Sequence, residues 1–279
     1  MTIKEYKHPI LFYLLCTIIP WSFWFTAAYL SHLPANDGSA AIWSGVLGVI
    51  GLASPTVIAF LMMYLNPKLR DDLLDRLFTL KKTKPIYLFL TCFLMLGSIL
   101  LAQAISLIFG YSVDQFVFSG GTSFSYSLFP AWVMLFLAPG LEELAWHSYG
   151  TDCLRSRFNL FTTSMIFAVF WAFWHFPLSF IKDYYHSNLA EMGWIYSLNF
   201  ALSLFPFVLL MNWLYYKTER NILIAVIFHV TAGLFNEMFA TDPNSKIIQT
   251  LLLLFLSIGL IYKDPKFFFS KEYAKLKML

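Results

Sequence analysis

Residues 86–110 read IYLFLTCFLMLGSILLAQAISLIFG, a run without a single charged side chain. A helix rises about 1.5 Å per residue, so roughly 20 apolar residues cross the hydrocarbon of a bilayer. Working outward, comparable segments occur at 10–30, 43–65, 128–149, 160–180, 194–216, 222–240 and 247–262, the last being the shortest. Together they predict an all-α, polytopic membrane bundle of about eight transmembrane helices, with 1–279 forming a single membrane-embedded domain. The first run is longer than the core of a signal peptide and has Glu5 among its flanking lysines, so it reads as a retained helix.

Composition agrees. The chain is 59% hydrophobic and 13% charged, whereas an ordinary soluble domain carries about 25% charged residues. There is too little polar surface here to coat a water-soluble globule. The expected surroundings are a lipid bilayer, and no nucleic-acid partner is expected. Cys16, Cys92 and Cys153 show no disulfide or zinc-ribbon spacing and read as free thiols.

The basic residues test the count of spans. With the N-terminus cytoplasmic, every lysine and arginine except Lys182 and Lys246 falls in an inside segment. The positive-inside rule expects this asymmetry. The reading is an integral membrane protein with N- and C-termini cytoplasmic. Leu69, Leu73, Leu77 and Leu80 recur at helical spacing among charges, which suggests a short helix lying on the leaflet. In the tail, Phe267, Phe268 and Phe269 stand among Lys266, Lys271, Lys275 and Lys277, a pattern suited to anchoring on anionic lipid.

Ionisable residues inside such segments call for a function, because a charge at a helix centre costs roughly 2.5–3.5 kcal/mol on insertion scales. Glu142 and Glu143 stand in the fourth segment, His175 in the fifth and His229 in the seventh; His147 and Glu237 lie near segment ends. Adjacent residues project about 100° apart on a helix. The two carboxylates therefore face different surroundings, one suited to act as a base and the other to hold a structural hydrogen bond. Pro139-Gly140 just before them is expected to kink or loosen the helix and admit water. His175 shares a face with Ser164, Ala168, Trp171, Ala172 and Ser179, and His229 with Ala225, Ala232, Gly233 and Asn236. Small and polar faces of this kind are where membrane helices approach one another. Such groups could activate water at a peptide carbonyl. Two histidines and a carboxylate could equally hold zinc, and spacing alone does not choose. Depth poses a further question: at 1.5 Å per residue His229 lies roughly 12 Å from its cytoplasmic loop and His175 roughly 27 Å from Arg157.

The stretch Glu142-Glu143-Leu-Ala-Trp-His147-Ser-Tyr-Gly150, then Trp171 and His175 with Pro177, then His229 followed by Asn236, resembles the CPBP family of CAAX-protease and bacteriocin-processing (Abi-like) intramembrane proteases. The family pattern is E-E-x-x-x-R, then F/W-x-x-x-H, then H-x-x-x-N, and the likeness covers a motif core of about 128–240. The resemblance implies a glutamate-dependent endopeptidase that needs no cofactor and no metal. It would act on a membrane-associated peptide or protein, in a bacterial cell membrane. Glu142 would activate water, His175 would orient it or share that work, His229 would stabilise the oxyanion, and Glu143 would support the site. Two positions depart from the pattern: His147 stands where the family has arginine, and Gly233 where it has asparagine. His147 and Asn236 are the candidate supporting residues. A catalytically impaired member acting as an immunity or scaffold protein is the alternative, and a small proton-coupled transporter ranks behind both.

Overall fold

The computed structural model describes residues 3–34, 38–64, 66–77, 83–126 and 128–271. The described residues form helices α1 (Pro9–Ser31), α2 (Ser39–Tyr64), α3 (Pro67–Leu77), α4 (Pro85–Ser106), α5 (Ala131–Ala145), α6 (Thr151–Arg155), α7 (Leu160–Trp174), α8 (Tyr185–Met192), α9 (Trp194–Lys217), α10 (Ile222–Met238), α11 (Pro243–Lys263) and α12 (Pro265–Phe269). A π-helical turn, Trp146–Gly150, joins α5 to α6.

The helix starts follow local chemistry. Proline occupies the first turn of α1, α4 and α11, where its missing N–H costs nothing. Asn159 accepts from Thr162 N at 2.7 Å, Asn221 from Leu223 N at 3.0 Å and Asp242 from Asn244 N at 2.8 Å, capping α7, α10 and α11. Six of the described helical segments are long and apolar enough to cross a membrane: Pro9–Ser31, Ser39–Tyr64, Pro85–Phe109, Leu160–Phe180, Trp194–Lys217 and Pro243–Lys263. The final segment is thus longer than its sequence signal. The two remaining expected spans are the shorter apolar α10 and the α5–π–α6 unit, which carry the acidic pair and His229.

α1 packs along α2, α2 against α5, and α5 against α10. On the far side α10 and α11 pack on α4, while α9 bridges α7 and α11. α5 and α10 therefore lie at the middle of the bundle, with α7 reaching them beside α9. Pro139-Gly140 lies inside α5, which continues through it from Ala131 to Ala145, and Pro139 borders the cavity described below. The irregularity comes two turns later, at the π turn. A π turn widens the i→i+4 ladder and leaves carbonyls in need of other donors. Here Arg76 Nη1 and Nη2 donate to the carbonyls of His147 (3.1 Å) and Ser148 (3.0 Å).

That arginine belongs to α3, and its position corrects the reading of α3 as a leucine-faced surface helix. The buried residues of α3 are Leu69, Asp72 and Arg76, while Leu73 is only partly buried; Leu80 lies outside the described residues. Arg76 pairs with Asp72 (2.8 Å) and Asp152 (3.2 Å), and Arg220 with Asp72 (2.9 Å) and, closely, with Asp152. Tyr6 donates to Asp72 at 2.6 Å and Tyr216 to Asp152 at 2.8 Å. Two carboxylates against two guanidiniums leave no buried charge unpaired, the condition under which such a cluster is tolerated. Arg220 holds a left-handed backbone at φ 66, a conformation that costs a non-glycine residue energy; its ion pairs offset that cost. The tail differs from expectation too. Phe267 and Phe268 are buried among Leu160, Leu209, Tyr216 and Ile222 rather than left free for lipid; Lys275 and Lys277 lie outside the described residues.

Candidate active site

On α5 the adjacent carboxylates part company as the 100° step demands. Glu142 borders a cavity of about 260 Å³, and its Oε2 accepts from the indole N–H of Trp171 at 2.9 Å and of Trp146 at 3.4 Å. Glu143 is wholly buried and turns away toward α9 and α10. Its Oε1 meets Nδ1 of His229 at 2.8 Å, and its Oε2 bonds closely to Nδ1 of His147 one turn along. His147 in turn sets Nε2 3.0 Å from Asn212 Oδ1, and Asn212 donates to Ser164 Oγ at 2.9 Å. A chain of polar groups thus runs from α10 through α5 to α9 and α7. A buried polar network of this kind is favourable when each member is satisfied.

His147 therefore occupies the motif's arginine position as a partner of Glu143. It is held between a carboxylate and an amide oxygen.

His175 caps the C-terminal end of α7 and also borders the cavity. Its Nδ1 lies 2.6 Å from the Trp171 carbonyl. A carbonyl only accepts, so Nδ1 carries the proton and Nε2 is left with the lone pair in the neutral ring. Its depth is reconciled through Trp171. α7 begins at Leu160 rather than at Arg157, and the Trp171 ring sits 5.2 Å from His229 and 5.5 Å from His175. His175 lies one turn beyond that level. Glu142, His175 and His229 consequently border one cavity, together with Gly233 and Asn236.

Asn236 donates to Tyr185 Oη at 3.3 Å and to Glu237 Oε1 at 3.1 Å, so its amide is committed to the cavity rim. Glu237 accepts from Ser123 N (2.6 Å) and Ser123 Oγ (2.9 Å), a clamp on the preceding loop. Among the described residues no three His, Cys, Asp or Glu side chains converge in a way that could hold a metal ion.

Four participants had no role assigned from the sequence. Trp146 and Trp171 stand in the quoted motif stretches, but their indole donors are hidden in a chain rich in aromatics. Asn212 sits in a long apolar run. His186, on α8, also borders the cavity; it lies in a connecting segment, where the cost of burial in lipid raises no flag.

Comparison with known proteins bears on this geometry. Residues 124–235, which include the acidic pair and both motif histidines, match the model for "Type II CAAX prenyl endopeptidase Rce1-like". A protein of Methanococcus maripaludis named CAAX prenyl protease 2 is 37% identical over 279 residues, covering 96% of this chain and 99% of the relative. The chain belongs to the Rce1-like type II CAAX prenyl endopeptidase family. It is accordingly an integral membrane protein of a protease family, and most of the residues that line the cavity, Glu142, His175 and His229 among them, fall in the part that the Rce1-like model matches.

Proposed function

We propose that this chain is a glutamate-dependent intramembrane endopeptidase that cleaves near the C-terminus of a prenylated, membrane-associated protein. The observation that carries the proposal is that Glu142, His175 and His229, from three helices, border one cavity. The relative's name, CAAX prenyl protease 2, supports the substrate class.

In this reading Glu142 takes a proton from a water in the cavity while the water oxygen attacks the scissile carbonyl. The lone pair at His175 Nε2 accepts the water's second hydrogen bond and orients it. His229 is fixed through Nδ1 by Glu143; as an imidazolium it presents Nε2–H to the oxyanion as the tetrahedral intermediate forms. Collapse breaks the C–N bond, and the proton held by Glu142 passes to the leaving amine. One water is consumed, and a carboxylic acid and an amine are released. Each carboxylate has one task. Glu142 retains only indole donors and can exchange a proton, while Glu143 is held between two imidazoles.

The test is hydrolysis of a farnesylated peptide ending in a CAAX sequence by protein in lipid nanodiscs. Loss of a general base costs about 10²–10⁴-fold, so Glu142→Gln should lower turnover at least 100-fold with normal expression. Turnover at the wild-type rate would remove Glu142 from the chemistry, whereas no hydrolysis by the wild-type protein itself would favour a non-enzymatic role.

A further inference from the structure

His186 borders the cavity but has no part in the proposed hydrolysis. α8, which carries it, lies in the connection between α7 and α9. The His186 ring stacks on His175 at 4.9 Å and 22°, and meets Phe200 edge-on at 4.7 Å. Tyr184 stacks near it at 5.8 Å and 13°. Both ring nitrogens are buried, and neither meets a hydrogen-bond partner among the described residues. Buried polar groups are almost always paired, and each unmade bond costs free energy that an apolar ring would not incur. His147, His175 and His229 each spend at least one nitrogen on a protein acceptor. His186 keeps both, on a side chain that borders the cavity Glu142 also borders; because both nitrogens are covered, a ligand there would reach them as the ring turns.

The chemistry of a partner follows from the ring. Burial, and after it the neighbouring His175, hold His186 well below the usual histidine range, so the ring is neutral. A neutral imidazole offers one N–H donor and one lone pair. An anionic ligand would call for a cation, whereas a peptide backbone supplies the complement, carbonyl acceptors and amide donors in alternation.

We propose that His186 is a substrate-binding residue that hydrogen-bonds the backbone of the peptide being cleaved, beside the water held by Glu142 and His175. This rests on the hydrolase reading above and adds a contact that neither the acidic pair nor the two motif histidines supply. The position of His186 against His175 also has a consequence: a peptide bound there lies against the ring whose Nε2 orients the water.

The test uses His186→Phe, which keeps the stack on His175 and removes both nitrogens. It is measured first in the Glu142→Gln background, as equilibrium binding of the uncleaved farnesylated CAAX peptide in nanodiscs. The loss of two backbone hydrogen bonds should weaken binding about 10-fold. In the otherwise wild-type enzyme KM should rise by a similar factor, with kcat changed far less. His186→Gln, which restores a donor and an acceptor, should recover most of the affinity. Should the phenylalanine variant not purify as a monodisperse protein, His186→Leu carries the same comparison with His186→Gln. Equal binding and equal KM in the phenylalanine and wild-type forms would overturn the proposal and make the ring a space-filler. If Glu142→Gln is inactive and His186→Phe binds normally, only the role of His186 falls. If Glu142→Gln cleaves at the wild-type rate, the glutamate-dependent reading on which this proposal rests falls, whatever the His186 variants bind.

Discussion

Nδ1 of His229 lies 2.8 Å from Oε1 of Glu143, so the carboxylate that faces away from the cavity sets the orientation of a ring that faces into it. Glu143 does not itself line the cavity, yet the proposed oxyanion donor depends on it. A hydrogen bond to a charged group is worth about 1.5–3 kcal/mol. Glu143→Gln should therefore lower kcat about 10- to 100-fold and leave KM nearly unchanged. Steady-state kinetics on the farnesylated peptide separate this from a binding defect; a rise in KM at constant kcat would show that His229 serves substrate affinity instead.

Trp171 joins the acidic motif to the histidine motif. Its indole N–H reaches Glu142 at 2.9 Å, while its ring stacks on Phe167 at 5.4 Å and 14° and stands edge-on to His229 at 5.2 Å. Trp171→Phe keeps an aromatic ring in the stack and removes the donor. The expected outcome is a fall of about 10-fold in kcat/KM, with a melting temperature within a few degrees of the wild type. Unchanged kcat/KM would mean that the bond does not position the base.

Gly233 leaves a place on the cavity wall without a side chain. A Cβ built there comes no closer than 3.6 Å to Leu135 Cδ2, an ordinary contact, and the residue lies within unbroken α10. Gly233→Asn should fold normally and supply a further donor. One oxyanion donor contributes up to about 10²–10³-fold in favourable cases, so a gain in kcat of about 10-fold is the expectation. No gain from a well-folded variant would place the reacting carbonyl away from position 233.

The ion cluster at the end of the bundle where α3, α6 and Arg220 meet makes stability depend on acid. Burial tends to raise the Asp72 carboxyl, but Arg76, then Arg220, and the Tyr6 hydroxyl outweigh it and hold the carboxyl below its usual range. A folded-state value depressed below the unfolded one contributes stability that is present above the unfolded value, about 3.9, and is lost as pH falls through the folded value. Melting temperature should therefore drop as pH falls below about 5. Asp72→Asn should melt lower at neutral pH, because two buried guanidiniums then share one carboxylate, and should show a flatter acid limb. Identical acid limbs in the two proteins would refute the assignment.

The membrane architecture could be read from the sequence because lipid imposes a length and a polarity on every crossing segment. Runs such as 86–110 leave little choice. Glu142, His175 and His229 stood out for the same reason: an ionisable group in an apolar run demands a partner. That logic is silent outside the spans. His186 sits in a connection, and the burial of Arg76 and Asp72 on α3 depends on partners 76 and 148 residues further along, Asp152 and Arg220 respectively, which no local pattern encodes. The π turn at Trp146–Gly150 was hidden because its cause is tertiary. Arg76 satisfies its carbonyls from another helix.

A double-variant cycle on Glu142→Gln and His229→Ala, read as kcat/KM for the farnesylated peptide, tests most directly whether base and oxyanion donor act at one carbonyl. Groups that work as a unit are strongly non-additive. The prediction is that the double variant is scarcely slower than Glu142→Gln alone. Two losses that multiply in full would contradict a shared site.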